Sequence, residues 1–165
     1  MKGRGFALVE LVVVLILLSL SMALVAPAFS RVIRSVELKA AAQKISTILR
    51  YYRSEAVQTG KTQQIIFDSD LREVRAQVVE VNIAEGGEEK RENSAVSKKF
   101  ILPEGIQMKE LKIPAPQNPA DSPAIEFYPN GGSNGGSVLF DSEERKGYRI
   151  KVHFLTGEVK IEQPL

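Results

Sequence analysis

From Phe6 to Phe29 the chain is apolar apart from a few small polar residues and one charge, Glu10. A helix of that length can cross a bilayer, which takes about 20 apolar residues. From Ser30 the pattern becomes amphipathic. Ile33, Val36, Ala41, Ile45, Ile48, Leu49, Tyr52 and Ala56 recur at three- and four-residue steps, which predicts one apolar helical stripe. Arg34, Lys39, Lys44, Arg50 and Arg53 fall between them, so the opposite face is expected to be cationic and solvated. Gly60 is placed to end the helix at C′. As one element, residues 6–59 would run ~80 Å at the helical rise per residue. Pro27 removes one backbone hydrogen bond and is expected to kink or loosen it.

After Gly60 the period changes to that of strands. Gln64–Phe67 and Val74–Val81 flank Asp68-Ser69-Asp70, which reads as a hairpin turn. Residues 84–99 are polar and mixed in charge and are expected to form a loop. Phe100–Leu102 and Ile106–Ile113 read as further strands, before an irregular connection marked by Pro114, Pro116, Pro119 and Pro123. Ile125–Tyr128 and Val138–Phe140 flank a Gly/Asn-rich turn. Tyr148, Ile150, Val152 and Phe154 alternate with Arg149, Lys151 and His153, predicting one buried and one wet face. A tight turn at Thr156-Gly157 then leads to Val159 and Ile161 on the inward face. The expected fold class is α+β, with two small antiparallel sheets packed on the C-terminal half of the long helix.

Charge sharpens this reading. Lys2 and Arg4 precede the apolar run, so the positive-inside rule keeps the first residues cytoplasmic and exports the rest. The formal net charge is +2, but without residues 1–5 the balance is 20 Lys+Arg against 20 Asp+Glu. A bias towards polyanions does not survive. The chain has no cysteine, so its domain relies on its core, its anchor or its partners rather than on disulfides.

Glu10 is the residue that most needs explaining. An ionised side chain costs about 2.5–3.5 kcal/mol at the centre of a membrane helix. Either it snorkels to the headgroups or it meets a cation within an assembly. A cut between Gly5 and Phe6 would create an amino terminus about one helical turn away, where free N–H groups already favour anions. The carboxylate of one subunit could then meet the terminal amine of its neighbour.

The short basic leader, Gly5-Phe6 and Glu10 together resemble the signal of type IV prepilins and type II secretion pseudopilins. That resemblance implies cleavage after Gly5 by a prepilin peptidase, N-methylation of Phe6 by the same peptidase/methyltransferase, and an assembly role for Glu10. It gives Pro27 the place of a helix-loosening proline. It also implies a pilin-like organisation: leader 1–5, transmembrane and assembly helix 6–29, amphipathic continuation 30–59, and β-rich periplasmic domain 60–165. Two other readings stay open. Ala26-Pro27-Ala28 has the form of an ordinary secretory cleavage site, and the segment could be an uncleaved anchor.

The C-terminal region, through Phe127–Gly136, Tyr148–Phe154 and Thr156-Gly157-Glu158-Val159, resembles the GspH/FimT group of minor pseudopilins. The implied function is a subunit of the type II secretion pseudopilus near its tip, helping to extrude folded periplasmic proteins. The implied partners are other pseudopilins, major and minor, the peptidase and the inner-membrane secretion platform, with the chain crossing the inner membrane once. The tip-most subunit of such systems typically lacks the glutamate, so Glu10 implies a subunit stacked above this one. The alternative is a FimT-like minor pilin for DNA uptake. Many relatives carry a cation after the final Thr-Gly where this chain has Glu158, and nucleic acid is accordingly not an expected partner.

No enzyme is expected. His153 is the sole histidine and is assigned to a wet strand face. With no cysteine, the usual zinc ligand sets are excluded. Asp68 and Asp70 could be imagined as calcium ligands but read as turn residues. No serine has a recognisable His–carboxylate partner. Gly131–Gly136 lacks the Lys-Ser/Thr ending and following helix of a phosphate cradle. No cofactor or metal is expected.

Overall fold

A computed structural model describes residues 4–83, 89–93, 98–115, 122–142 and 145–163. Helix α1 (Arg4–Thr59) is followed by β1 (Thr62–Asp68), β2 (Glu73–Ile83), β3 (Glu89–Asn93), β4 (Lys98–Ile101) and β5 (Ile106–Lys112). Then come β6 (Ala124–Phe127), β7 (Gly136–Ser142), β8 (Arg145–Val152) and β9 (Val159–Glu162). The chain divides into two compact units, Met1–Val36 and Glu37–Leu165.

In the second unit the strands form two antiparallel sheets. One has the order β3-β2-β1-β6 with β4 also on β2, and the other the order β5-β7-β8-β9. The length of β2 explains the first sheet. Its residues 73–79 pair with β1 along one edge, while the other edge is shared by β4 at Glu73–Ala76 and β3 at Val79–Ile83. Strand β1 buries Gln63, Ile65 and Phe67 and turns the alternate residues outward, the period-two pattern of a half-buried sheet. Its polar face forms a ladder: Gln77 donates to Gln64, and Gln64 donates to Glu126 at 3.4 Å.

Residues 37–59 of α1 supply the third side of the core. Leu38, Ala41, Ala42, Ile45, Leu49, Tyr52 and Ala56 are buried in one cluster with residues of both sheets. Phe67 and Phe127 enter it from the first sheet, and Val138, Phe140 and Ile150 from the second. Each large apolar side chain buried there contributes about 1.5–3 kcal/mol relative to exposure. Gly60, at φ +69°, donates its N–H to the Ala56 carbonyl at 3.0 Å and ends the helix, as an αL glycine cap does.

Several expectations change. Val36 is 62 % exposed, and the stripe is carried instead by Leu38 and Ala42. Ile33 as a stripe member, any kink at Pro27, and Pro116 and Pro119 of the irregular connection lie outside the described residues. Part of the expected loop 84–99 is strand, because Glu89–Asn93 and Lys98–Lys99 find partners on β2; residues 84–88 and 94–97 lie outside the described residues. Phe154 does not continue the inward face. Strand β8 ends at Val152, and Phe154 sits 60 % exposed in the following turn. His153 is likewise exposed in that turn rather than on a strand.

Candidate assembly surfaces

In the first unit, every side chain from Leu8 to Met22 is exposed. Leu8, Leu11, Leu15, Ile16, Leu18 and Leu20 are among them, more than half exposed. The two serines do not interrupt this surface with free polar groups. Ser19 Oγ donates to the Leu15 carbonyl at 2.7 Å and Ser21 Oγ to that of Leu17 at 2.8 Å. A hydroxyl folded onto its own helix is satisfied without water. Glu10 has no such device, and among the described residues no ion pair to it is formed. Gly5, Phe6 and Pro27 all fall within the helical span Arg4–Thr59; the side chains of Phe6 and Pro27 lie outside the described residues. Among the described residues no helix is long and apolar enough to cross a membrane.

In the second unit, the cationic face of α1 is not simply solvated. Arg50 Nη2 donates to the Val159 carbonyl at 3.0 Å. The Arg53 Nε–H is shared between the carbonyls of Gly131 and Thr156, each at 3.0 Å. Lys44 lies 4.3 Å from the centre of the Phe100 ring, within cation–π range. These arginines dock the turn between β8 and β9, and the Gly-rich loop, onto the helix. Sequence reasoning missed them because a charge beside an apolar stripe ordinarily reads as solvent-facing. The available signal was their chemistry: an arginine fork reaches past the stripe to carbonyls that lysine satisfies poorly.

The loop between β6 and β7 is built rather than loose. Asn134 accepts from the Glu126 N–H at 2.9 Å and donates from Nδ2 to the Ala124 carbonyl at 3.0 Å. Ser133 N–H donates to the Phe154 carbonyl at 3.0 Å. The loop thereby ties the first sheet to the β8–β9 turn.

The residues considered for chemistry are occupied with local structure. Asp68 accepts from the Leu71 N–H and from Arg75 Nη2, both at 3.0 Å, so its carboxylate closes the β1–β2 turn. Asp70 lies exposed in that turn. Among the described residues no cluster of three metal-ligating side chains occurs. His153 stacks on Phe154 with ring centres 5.4 Å apart. Glu158 forms an ion pair with Lys160 at 3.3 Å.

Comparisons with known proteins bear on these surfaces. Residues 41–156 match the family described as type II transport protein GspH. Over 157 residues the chain is 28 % identical to type II secretion system protein H of Xanthomonas campestris pv. campestris, covering 95 % of this chain and 82 % of the relative. The fold is similar to that of the minor pseudopilin EpsH of Vibrio cholerae, with TM-score 0.54 and 20 % identity over 78 % of this chain and 98 % of that one. It is also similar to the type IV minor pilin FimU of Pseudomonas aeruginosa, with TM-score 0.53 and 17 % identity over 78 % of this chain and 90 % of the other.

Proposed function

This chain belongs to the GspH family of type II transport proteins, and on that premise we propose that it is a minor pseudopilin, a mechanical subunit of the pseudopilus near its tip with no catalysis of its own. The observation that carries the reading is the apolar surface Leu8–Met22, exposed along its whole length and holding a single charge, Glu10. Such a surface needs lipid before assembly and other subunits after it. Other pseudopilins, major and minor, are its partners in that assembly.

In this reading the precursor sits once across the inner membrane, with the first residues in the cytoplasm and the β domain in the periplasm. The peptidase cuts between Gly5 and Phe6 and methylates the new amine. The secretion platform then lifts the subunit into the filament. There Glu10 meets the terminal amine of a neighbouring subunit, and this charge pair sets the axial register of the packed helices. Pro27 lets the helix adjust as it leaves the bilayer. The β domain, locked by Arg50 and Arg53, presents a fixed outer surface while folded cargo is pushed outward.

Two measurements test this. N-terminal sequencing of the protein purified from membranes should return a methylated Phe6; Phe29 would mean an ordinary secretory signal, and Met1 an uncleaved anchor. Glu10→Gln should leave insertion and cleavage intact yet remove the subunit from sheared pseudopili. Normal incorporation and secretion by that variant would end the pairing role.

A further inference from the structure

Among the described residues, strand β4 uses only one of its edges. It pairs with β2 at Glu73–Ala76, and no strand among the described residues lies on its other side. Beside it a groove of about 250 Å³ opens between α1 and the first sheet, with Lys44, Ile48, Tyr52, Lys98, Lys99 and Phe100 among its lining residues. The floor is apolar and aromatic, and the rim is cationic.

The cations of this rim are not neutralised. Lys44 covers the Phe100 ring at 4.3 Å and Lys98 lies 6.0 Å from the Tyr51 ring centre. Among the described residues neither forms an ion pair with a carboxylate. Their neighbour differs: Lys99 also lines the groove but is paired with Glu73 at 2.6 Å. A ring face holds an ammonium weakly at an exposed site, with about 0.5–1 kcal/mol. Both ammoniums therefore remain available to a carboxylate that approaches along the strand. A free strand edge offers a row of backbone donors and acceptors to an extended chain, and the adjoining pocket takes alternate side chains.

We propose that the open edge of β4 and its groove form a docking site for an extended acidic segment of a partner protein, which adds as a strand while its carboxylates meet Lys44 and Lys98. One apolar side chain of that segment fills the space against Ile48 and Phe100. Lysines on a free edge can also serve only to repel other strands. The two roles differ in what they do to an acidic strand, which the first attracts and the second leaves unbound.

The test uses the full chain in detergent and a short fluorescein-labelled peptide alternating Glu and Val, followed by fluorescence anisotropy. Saturable binding is expected, with a matching Lys/Val peptide failing to bind, and hydrogen exchange should slow at the amides of residues 98–101. Lys44→Glu with Lys98→Glu should weaken binding roughly tenfold or more, the loss expected when charge complementarity at a rim is reversed. Lys44→Gln with Lys98→Gln, which keeps the aliphatic stems, should give a smaller loss in the same direction. Lys151→Glu, an exposed lysine on β8, should change nothing. Absence of binding at millimolar peptide, equal binding of both peptides, or equal losses from the β4 and β8 variants would each overturn the proposal.

Discussion

The Nε–H of Arg53, on α1, and the carbonyl oxygen of Thr156, in the turn between β8 and β9, lie 3.0 Å apart across 103 residues of chain. The same N–H reaches the Gly131 carbonyl at 3.0 Å. One guanidinium therefore holds the helix, the Gly-rich loop and the last hairpin in a single arrangement.

Replacing it should be felt in stability. Arg53→Ala leaves both carbonyls without this donor, and a hydrogen bond from a charged group is worth about 1.5–3 kcal/mol. Because Arg53 is exposed, water recovers part of that, and a loss of about 1–2 kcal/mol is expected. Urea unfolding of the detergent-solubilised chain should show a lower midpoint at unchanged slope. Arg53→Lys should recover little, since a lysine has no Nε–H at the point between the two carbonyls and carries its ammonium further out on a flexible stem.

The turn itself depends on a glycine. Gly157 has φ +63°, and a Cβ added there would come within 2.6 Å of the Gly131 carbonyl oxygen and 2.9 Å of Arg53 Nε. Gly60 has a similar φ of +69° but nothing within 4 Å of such a Cβ. Gly60→Ala should cost about 1–2 kcal/mol, the left-handed penalty alone. Gly157→Ala should cost clearly more, because the clash adds to the same penalty. Similar losses from the two would mean that the Arg53–turn packing is not as tight as the geometry states.

The helix register makes a sharp pair of expectations. Leu38 is 1 % exposed and Val36 is 62 % exposed. Leu38→Ala should therefore lose about 2–5 kcal/mol by cavity formation. Val36→Ala should stay within about 0.5 kcal/mol, as a surface change does. Thermal or urea unfolding of the two variants side by side checks which residue the core uses.

Acid should weaken the sheets in a definite direction. A hydrogen bond from Lys112, helped by its charge and that of Arg149, holds the Glu110 carboxyl below its ordinary value of 4.5. The hydrogen bond and charge of Lys61 do the same for Glu80. A depressed carboxyl contributes stability that is fully present above its unfolded value, about 4.5, and is lost as the pH falls through the lowered folded value. Glu110→Gln and Glu80→Gln should each flatten the acid limb of stability measured against pH and leave the slope near neutrality unchanged. An acid limb as steep as that of the parent chain would remove these pairs from the account.

The residue pattern alone determined the long helix, its division into an apolar and an amphipathic half, the αL stop at Gly60, and the positions of most strands. It did so because period, turn chemistry and the lone charge at Glu10 are local properties. The motif of Gly5, Phe6 and Glu10 is likewise local, and the processing and assembly roles proposed for it rest on its resemblance to the prepilin signal. The structure seats Leu38 rather than Val36 in the core; Leu38 lies three residues before Ala41 and Val36 five, so the spacing from Ala41 already favoured Leu38. Only the tertiary structure turned Arg50 and Arg53 from solvated charges into clasps, because their carbonyl partners lie more than 70 residues further along the chain. And only pairing with the long β2 made strand of the polar residues Glu89–Asn93 and, among the described residues, left β4 with an open edge. Hydrogen bonding across a sheet can order a segment that has no apolar pattern of its own.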